Sequence, residues 1–416
     1  MNVYIMRGRY MRAMRWSVLP AIAVMMAGCE GFEMGGGGPA GPGASYRSDV
    51  AFLRGHAKVI ELAQGSGRLA IVPALQGRVM TSGFSPGGAS LGWVPRKDIE
   101  AGEQDVPFNN FGGQDRFWLG PEGGQFSLYF AQGAEQVIDN WQVPAAFNGG
   151  PFEVVAQDDR SVEMRAEMSM VNASGTKIDL EVGRTIRSVP LSEAEGLFRT
   201  GLAGLGVGYL GYVSENRITN TGEGPLTEET GTVSIWSMGM FAAGPDTVVV
   251  APFDKAGEGL EIQSSYFGEP PAERLKLDGE NGVALFRADG RFRSKIGIPV
   301  PRARDRIGSI DFARGVLTIV QFDLTSGQNK YVNSLWAAKQ DAPFAGDVAN
   351  SYNDGGDPDA TFYEVESSSP AAFLAPGQSL AHHHRTLQFR GSLEALSKIS
   401  EKVLGVGLEH VRHQME

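Results

Sequence analysis

The sequence is poor in cysteine, histidine and basic residues. Cys29 is the only cysteine among 416 residues, so an intramolecular disulfide cannot form. There are six histidines, and none lies between His56 and His382. Lysine and arginine number 37 against 48 aspartates and glutamates, which gives a formal charge of −11. Because nucleic-acid binding needs a basic surface, this balance argues against nucleic acid as a partner.

Motifs of several large enzyme classes are also missing. The sequence has no phosphate-binding P-loop, no nucleophile elbow and no dinucleotide-binding fingerprint. The acidic stretch at 353–359 has oxygens suited to calcium, but its spacing differs from the helix-loop-helix calcium pattern. We interpret that stretch as a turn.

Residues 1–28 have the composition of a signal peptide. Four arginines and no acidic residue accompany an apolar run at 16–27, which is too short to span a bilayer. The run ends in Met-Ala-Gly-Cys29, which resembles the lipobox of bacterial lipoproteins. The resemblance implies that Cys29 is acylated after cleavage and anchors the protein to a membrane. An ordinary secretory signal with an incidental cysteine is the alternative.

The residues after Cys29 predict where the anchored protein resides. Glu30 follows the cysteine in place of the aspartate that retains some lipoproteins at the inner membrane, so we expect the outer membrane, facing the periplasm. Residues 35–45 read GGGGPAGPGAS and cannot form a core. We therefore assign 29–46 to the lipidated cysteine and a flexible tether. Display on the outer surface remains an alternative.

The rest of the chain has the pattern of an all-β protein. Alternating or β-branched segments are separated by Gly, Pro, Asn and Asp clusters, and they predict strands at 68–73, 126–130, 162–170, 177–186, 232–236, 247–252, 316–322, 362–366 and 385–389. A Gly-interrupted helix is a candidate at 192–205. Apolar residues recur at helical spacing after Ser392, which predicts a helix in 392–416. We expect a monomer with one antiparallel β domain at 47–391 and a short C-terminal helix.

Four segments, in order, resemble the galactose mutarotase-like superfamily. They are NNFGGQDRFWLGPE at 109–122, ENRITNTGEGPL at 215–226 with VSIWSMGM at 233–240, the strand patterns at 295–298, 307–310 and 317–320, and YEVES at 363–367 with LAPG at 374–377. The resemblance implies a large antiparallel β supersandwich that binds sugars. It also implies that Glu366 occupies the position of the family's catalytic base.

One departure from that family bears directly on activity. A mutarotase opens the sugar ring with a general acid and a general base, and the family's acid is a histidine after the Asn-Thr-Gly strand. This chain has Ser-Met-Gly-Met at 237–240 instead. The resemblance therefore implies a carbohydrate-binding protein, and we favour a non-standard epimerase or mutarotase over a pure binder. The alternatives are a non-catalytic carbohydrate-binding or structural lipoprotein, and a glycoside hydrolase or lyase that uses Glu122 and Glu366.

Two acidic residues and a histidine run are candidates for proton transfer. Glu364 and Glu366 alternate along one strand, so both carboxylates should project from one face. His384 is a candidate for the missing acid, approaching from another direction. His382 and His384 share a face and could bind a metal such as zinc together with a carboxylate. A polar strand edge is the alternative, and we expect no cofactor.

The densest polar and aromatic group lies at 115–122. Arginine and acidic side chains hydrogen-bond sugar hydroxyls, and an indole ring packs against the C–H face of a pyranose. Glycine pairs at 112–113 and 123–124 allow sharp turns and close backbone approach. A buried Arg–Asp pair, core tryptophans and a surface lysine are the alternatives. The candidate substrate-binding residues are Asp115, Arg116, Trp118, Glu122, Trp236 and Lys295.

Overall fold

The computed structural model describes residues 44–104, 106–257, 261–355 and 362–416. The predicted signal peptide, Cys29 and most of the predicted tether lie outside these residues, as do Asp357 and Asp359 of the acidic stretch. None of the helices in the described ranges is long and apolar enough to cross a membrane.

The described residues form short helices and many strands. The helices are α1 (Tyr46–Arg54), α2 (Arg96–Ala101), α3 (Ala145–Asn148), α4 (Leu191–Phe198), α5 (Leu393–Leu404) and α6 (Leu408–Met415), with 3-10 turns at Pro73–Leu75, Ile138–Asn140 and Val300–Arg302. The strands are β1 (Ile60–Gln64), β2 (Gly67–Val72), β3 (Arg78–Gly83), β4 (Arg116–Gly120), β5 (Glu153–Gln157), β6 (Ser161–Val171), β7 (Lys177–Ser188), β8 (Gly208–Asn220), β9 (Ser234–Ala242), β10 (Thr247–Pro252), β11 (Leu275–Asp278), β12 (Val283–Arg287), β13 (Ser294–Pro299), β14 (Arg306–Asp311), β15 (Val316–Phe322), β16 (Asp347–Asn353), β17 (Phe362–Ser368) and β18 (Ser379–Arg390).

The strands form three antiparallel sheets. The large sheet has ten strands in the order β11-β12-β10-β14-β15-β18-β8-β7-β6-β5. The small sheet has five, in the order β13-β16-β17-β9-β4, and a third sheet has the order β1-β2-β3. The predicted fold class, an all-β protein with large antiparallel sheets and few helices, is confirmed.

The large and small sheets pack face to face. On β17, Val365 points inward and joins Val320 of the large sheet in a shared apolar core. Glu364 and Glu366 point the other way, because successive residues of a strand project to opposite faces. The sandwich therefore leaves one face of the small sheet available for a site.

Helices cover the outer face of the large sheet. Leu396 and Ile399 of α5 are fully buried against a group that includes Leu317 and Phe389. Burial of each such side chain contributes roughly 1.5–3 kcal/mol, which exceeds the intrinsic stability of a helix this short. The C-terminal helices thus close a core and leave the site to the opposite side of the sandwich.

The ends of the helices refine the sequence prediction. Ser392 caps α5, as expected, but Gly405 at φ +83° ends it and a second helix, α6, follows. The candidate helix at 192–205 is limited to the bounds of α4, which ends at the left-handed Arg199. The predicted strand at 126–130 is instead a turn in which Leu128, Tyr129 and Phe130 are buried. An apolar run alone does not distinguish a strand from a buried turn. At the other end, Ser45 caps α1, so the last predicted tether residues belong to the domain.

Candidate functional site

The free face of the small sheet forms the floor of a cavity of about 740 Å³. Its walls hold every tryptophan in the described part of the chain, together with buried acidic and basic side chains. A cavity of this size, with aromatic walls and a few convergent polar groups, is typical of a small-molecule site. The tryptophans are Trp93, Trp118, Trp141, Trp236 and Trp336.

Strand register fixes the polar floor. Arg116 of β4 lies opposite Met238, which lies opposite Glu366 of β17. One row along the strands, Lys295 lies opposite Tyr352, which lies opposite Glu364. All the charged members of these rows are nearly or fully buried.

The ion pairs cross diagonally between the two rows. Arg116 pairs with Glu364, and Lys295 Nζ lies 3.0 Å from Glu366 Oε2. Each pair links different rows, so the four side chains restrain one another. A fixed constellation of this kind can present charge to a ligand without reorganising.

Aromatic rings hold the two cations in place. The guanidinium carbon of Arg116 lies 4.5 Å from the Trp118 ring centroid. Lys295 Nζ lies 4.7 Å from the Trp236 ring centroid. Cation–π contacts of this length strengthen when the site is desolvated, as here.

Indole N–H groups donate to the carboxylates of the cavity. Trp236 Nε1 donates to Glu366 Oε2 at 2.8 Å. Trp141 Nε1 donates to Glu122 Oε1 at 3.0 Å, and Trp336 also hydrogen-bonds Glu122. The acids are therefore oriented by the same aromatic side chains that line the walls.

Several buried polar atoms of the site have no hydrogen-bond partner among the described residues. They are Arg116 Nε and Nη1, Trp118 Nε1 and Asn110 Oδ1. An unsatisfied buried polar group costs about 1–3 kcal/mol, and native structures contain few of them. Arg116, Trp118 and Asn110 also line the cavity, so a polar ligand there can complete their hydrogen bonding.

The acids of the cavity titrate away from their ordinary ranges. Burial raises the pKa of Glu364, the Arg116 guanidinium lowers it and Glu366 raises it again, so that it reaches about 7. Burial also raises the pKa of Glu122, against the lowering effect of Lys295. Burial lowers the pKa of Lys295, but the carboxylates of Glu366, Glu122 and Glu364 have the larger combined effect. The pKa of Lys295 is therefore raised above its ordinary value. Glu364 can therefore both give and take a proton near neutral pH.

Five of the six expected substrate-binding residues lie in the cavity wall: Arg116, Trp118, Glu122, Trp236 and Lys295. Glu366 has no exposed surface and lies directly beneath the floor, in contact with Lys295 and Trp236. Glu364 itself lines the cavity. The two carboxylates do project from one face, as their spacing predicts.

Asp115 does not join the cavity. It lies between the sheets, where it forms a fully buried ion pair with Arg184 of β7 and accepts a hydrogen bond from Ser214 at 2.8 Å. Adjacent residues of an extended chain point to opposite faces, so Asp115 and Arg116 cannot both face the cavity. A buried Arg–Asp pair, the alternative for this segment, does exist, but its arginine is Arg184.

His384 also lies between the sheets, behind β17. His384 Nδ1 and His382 Nε2 are each 2.8 Å from Ser367 Oγ. Burial lowers the pKa of each histidine to about 3, so both are neutral. The segment after β17 carries these histidines into the large sheet, and therefore they do not approach Glu364 and Glu366 on the opposite face. Within the described ranges, no group of three or more His, Cys, Asp and Glu side chains could hold a metal ion.

Sequence reasoning missed several residues of the wall. Trp93, Trp141, Trp336 and Arg293 line the cavity, and none of them is among the residues that the sequence assigns to the site. They come from loops and strand ends far apart in the sequence, so no local spacing links them. The only sequence signal was the tryptophan content itself.

Glycines allow two of these loops to approach. Gly112 has φ +65°, and a Cβ there would lie 2.5 Å from the carbonyl oxygen of Trp93. A Cβ on Gly123 would lie 2.2 Å from the carbonyl oxygen of Leu335 and 2.8 Å from the Cα of Trp336. The predicted close backbone approach at the glycine pairs is confirmed at both positions, and it positions two of the five tryptophans.

Several solved structures resemble this chain at low sequence identity. The Slr1438 protein from Synechocystis sp. PCC 6803 is 13% identical, with a TM-score of 0.47 over 81% of this chain and 96% of that protein. A candidate aldose 1-epimerase from Escherichia coli K12 is 12% identical, with a TM-score of 0.46 over 80% and 98%. A galactose mutarotase-like protein from Lactobacillus casei is 12% identical, with a TM-score of 0.43 over 80% and 100%. At these TM-scores the likeness carries no argument about activity.

Comparison of sequences gives the family. No curated protein matches the chain. The model of one family covers residues 44–415, which is nearly the whole of the described region. The chain belongs to DUF6786, a family of unknown function.

Proposed function

We propose that the cavity binds a carbohydrate. The observation that carries the proposal is the convergence of five tryptophans on one cavity with oriented carboxylates and a buried arginine. Indole rings pack against the C–H faces of sugars, while carboxylates and guanidinium groups hydrogen-bond their hydroxyls. The unpartnered atoms of Arg116 and Trp118 offer further donors to such hydroxyls.

Within this function, we favour acid–base processing of the sugar over binding alone. A mutarotase- or epimerase-type reaction needs one group that gives a proton and one that accepts it. Glu364 lines the cavity with a pKa of about 7, and Glu122 lines it with a raised pKa. Glu366 is the positioning residue in this scheme, because it is buried beneath the floor and holds Lys295 and Trp236.

Thermal shift tests the binding. The chain from residue 44 to 416 would be melted with a panel of mono- and oligosaccharides, because a ligand that binds only the folded state raises the melting temperature. A sugar-dependent rise supports the carbohydrate site. If no saccharide in the panel changes the melting temperature at millimolar concentration, the proposal fails.

Anomer exchange tests the chemistry. The exchange of the sugar that binds would be followed by NMR, with wild type and Glu364→Gln compared at saturating ligand. Loss of exchange in the variant, with binding kept, supports acid–base catalysis by Glu364. If the exchange rate is the same in wild type, in the variant and in buffer, the protein does not catalyse the exchange, and only the binding function remains supported.

Two other functions make different demands on the site. A glycoside hydrolase needs two carboxylates across the bond, and Glu122 and Glu366 do influence each other electrostatically. Release of reducing ends from an oligosaccharide, abolished by Glu122→Gln, would favour that reaction.

A structural lipoprotein with no ligand is consistent with the internal pairing of Arg116, but the open volume of the cavity and its unpartnered polar atoms argue against it.

We also propose that the protein is a lipoprotein anchored through Cys29, most simply in the outer membrane and facing the periplasm. The support is the sequence alone: the arginine-rich start, the apolar run at 16–27 and the lipobox-like end. Labelling of the full-length chain with radioactive palmitate tests it. Wild type should take up label and partition into detergent, and Cys29→Ser should do neither; label retained in the variant would contradict the proposal.

A further inference from the structure

The aromatic residues of the cavity fall into two groups. The inner group is the four tryptophans around the carboxylates, Trp118, Trp141, Trp236 and Trp336. Trp118 packs edge-on against Trp236 at 5.8 Å between ring centroids, and the other two hydrogen-bond Glu122. Trp93 has no ring contact with any of these four in the described residues.

Trp93 belongs to an outer group, which we define as Trp93, Phe362, Tyr352 and Phe267. The Trp93 ring stacks on Phe362 at a centroid distance of 4.5 Å. Tyr352 contacts Phe362 at 5.9 Å and Phe267 at 5.8 Å. Phe267 is 39% exposed, so the outer group reaches the surface of the protein.

The strand register gives the backbone distance between Trp236 of the inner group and Trp93 of the outer group. Trp93 N donates to the carbonyl oxygen of Met240 at 3.0 Å, so Trp93 lies beside that residue of β9. Trp236 precedes Met240 by four residues on the same strand, which corresponds to about 14 Å. The rows that carry the crossed ion pairs, at Met238 and Met240, lie in this interval.

One sugar ring cannot fill this space. A pyranose is roughly 5 Å across, and its dozen or so non-hydrogen atoms occupy about 200 Å³ at ordinary packing density. The cavity holds about 740 Å³ and carries aromatic surface at both ends of its charged floor. A ring placed at the carboxylates therefore leaves the outer group uncovered.

We propose that the natural ligand is a short oligosaccharide, with one sugar unit at the charged floor and a further unit stacked on the outer group. The proposal rests on the carbohydrate-binding function and deepens it by naming the substrate class. It explains why aromatic side chains continue past the charged pairs of the floor to the rim, where Phe267 is 39% exposed.

Affinity measured against chain length tests the proposal. Titration calorimetry would use mono-, di-, tri- and tetrasaccharides of glucose, galactose, mannose, xylose and N-acetylglucosamine with the protein from residue 44 to 416. In at least one series, affinity should rise by about tenfold or more from one unit to three, because a stacked ring adds on the order of 1.4 kcal/mol. If the monosaccharide binds as tightly as its oligomers in every series that binds, this proposal is overturned and the proposed function stays intact. Binding of none of the saccharides overturns both.

A variant locates the second unit. Trp93→Ala should remove most of the gain between one unit and three, and Trp93→Phe should restore part of it. Phe292→Ala is the control, because Phe292 is an exposed aromatic residue that does not line the cavity. If Trp93→Ala weakens mono- and trisaccharide binding by the same factor, the outer group is not a second binding platform.

Discussion

Lys295 and Glu366 form an ion pair that is buried at both ends. Lys295 Nζ lies 3.0 Å from Glu366 Oε2, and the side chains are 8% and 0% exposed. Trp236 Nε1 donates to the same oxygen. Because burial strips water from both charges, each depends on its partner far more than in an exposed pair.

Removal of the lysine should therefore destabilise the fold strongly. We expect Lys295→Met to lower the free energy of unfolding by about 3–5 kcal/mol, because Glu366 is left buried without its cation. Combination with Glu366→Leu removes both charges and should recover most of the loss. Urea unfolding measures both effects. Lys398→Met, in the exposed pair with Glu394, is the control and should leave the midpoint unchanged; a single variant as stable as that control would contradict the prediction.

Glu364 should make stability fall as pH rises toward neutrality. Its pKa in the folded protein, about 7, lies above the ordinary 4.5, mainly because burial disfavours the charged form. A group whose pKa is raised on folding contributes stability that is complete below the unfolded pKa and lost as pH rises through the folded one. Between about pH 4.5 and 7, wild type should lose stability relative to Glu364→Gln, as urea unfolding at several pH values will show. Parallel pH profiles for the two proteins would rule this out.

The two buried histidines should act in the opposite direction. Burial lowers the pKa of His382 and of His384 to about 3, from an ordinary value of 6.5. A group whose pKa is lowered on folding gives stability that is present above the unfolded pKa and lost on acidification. At pH 5, protonation of each histidine in the unfolded chain should lower the free energy of unfolding by roughly 2 kcal/mol. The double variant His382→Gln/His384→Asn keeps one hydrogen-bonding atom at each position and should flatten the loss below pH 6.5; an unchanged acid profile would place the titration elsewhere.

Gly123 should control the position of Trp336. A Cβ at this residue would lie 2.2 Å from the Leu335 carbonyl oxygen, so Gly123→Ala must displace the neighbouring segment. We expect a loss of about 1–3 kcal/mol of stability and weaker sugar binding. Gly87→Ala is the matched control, because no atom lies within 4 Å of a Cβ at Gly87. Equal sugar affinity in Gly123→Ala and Gly87→Ala would show that the position of Trp336 does not affect sugar binding.

Tryptophan fluorescence should report ligand binding directly. Every indole in the protein from residue 44 to 416 lies in the wall of one cavity. A bound saccharide replaces water at the partly exposed rings of Trp93, Trp141 and Trp336, so emission should shift and change in intensity as the site fills. Titration with the saccharide identified by thermal shift measures the change. A saccharide that raises the melting temperature without altering emission would bind outside this cavity.

Local pattern was sufficient to predict the class of the fold and much of the site. Alternation along each strand is a local property with a period of two. It places Glu364 and Glu366 on one face whichever strands pair with β17. Gly112 and Gly123 were recognisable as points of close backbone approach because glycine alone lacks a Cβ. The arginine, tryptophan and glutamate of the 115–122 segment could be grouped because they are close in the sequence.

Only the tertiary structure decided which strand joins which sheet. β18 could have folded back on Glu364 and Glu366 from its position in the sequence, but it pairs with β8 and β15, so His384 lies behind the site. Asp115 is joined to Arg184, 69 residues away, and Lys295 to Glu366 across 71. Strand pairing depends on long-range burial that no local spacing records, and so the sequence determined the faces of the strands while the packing of the sheets determined which of those faces became the site.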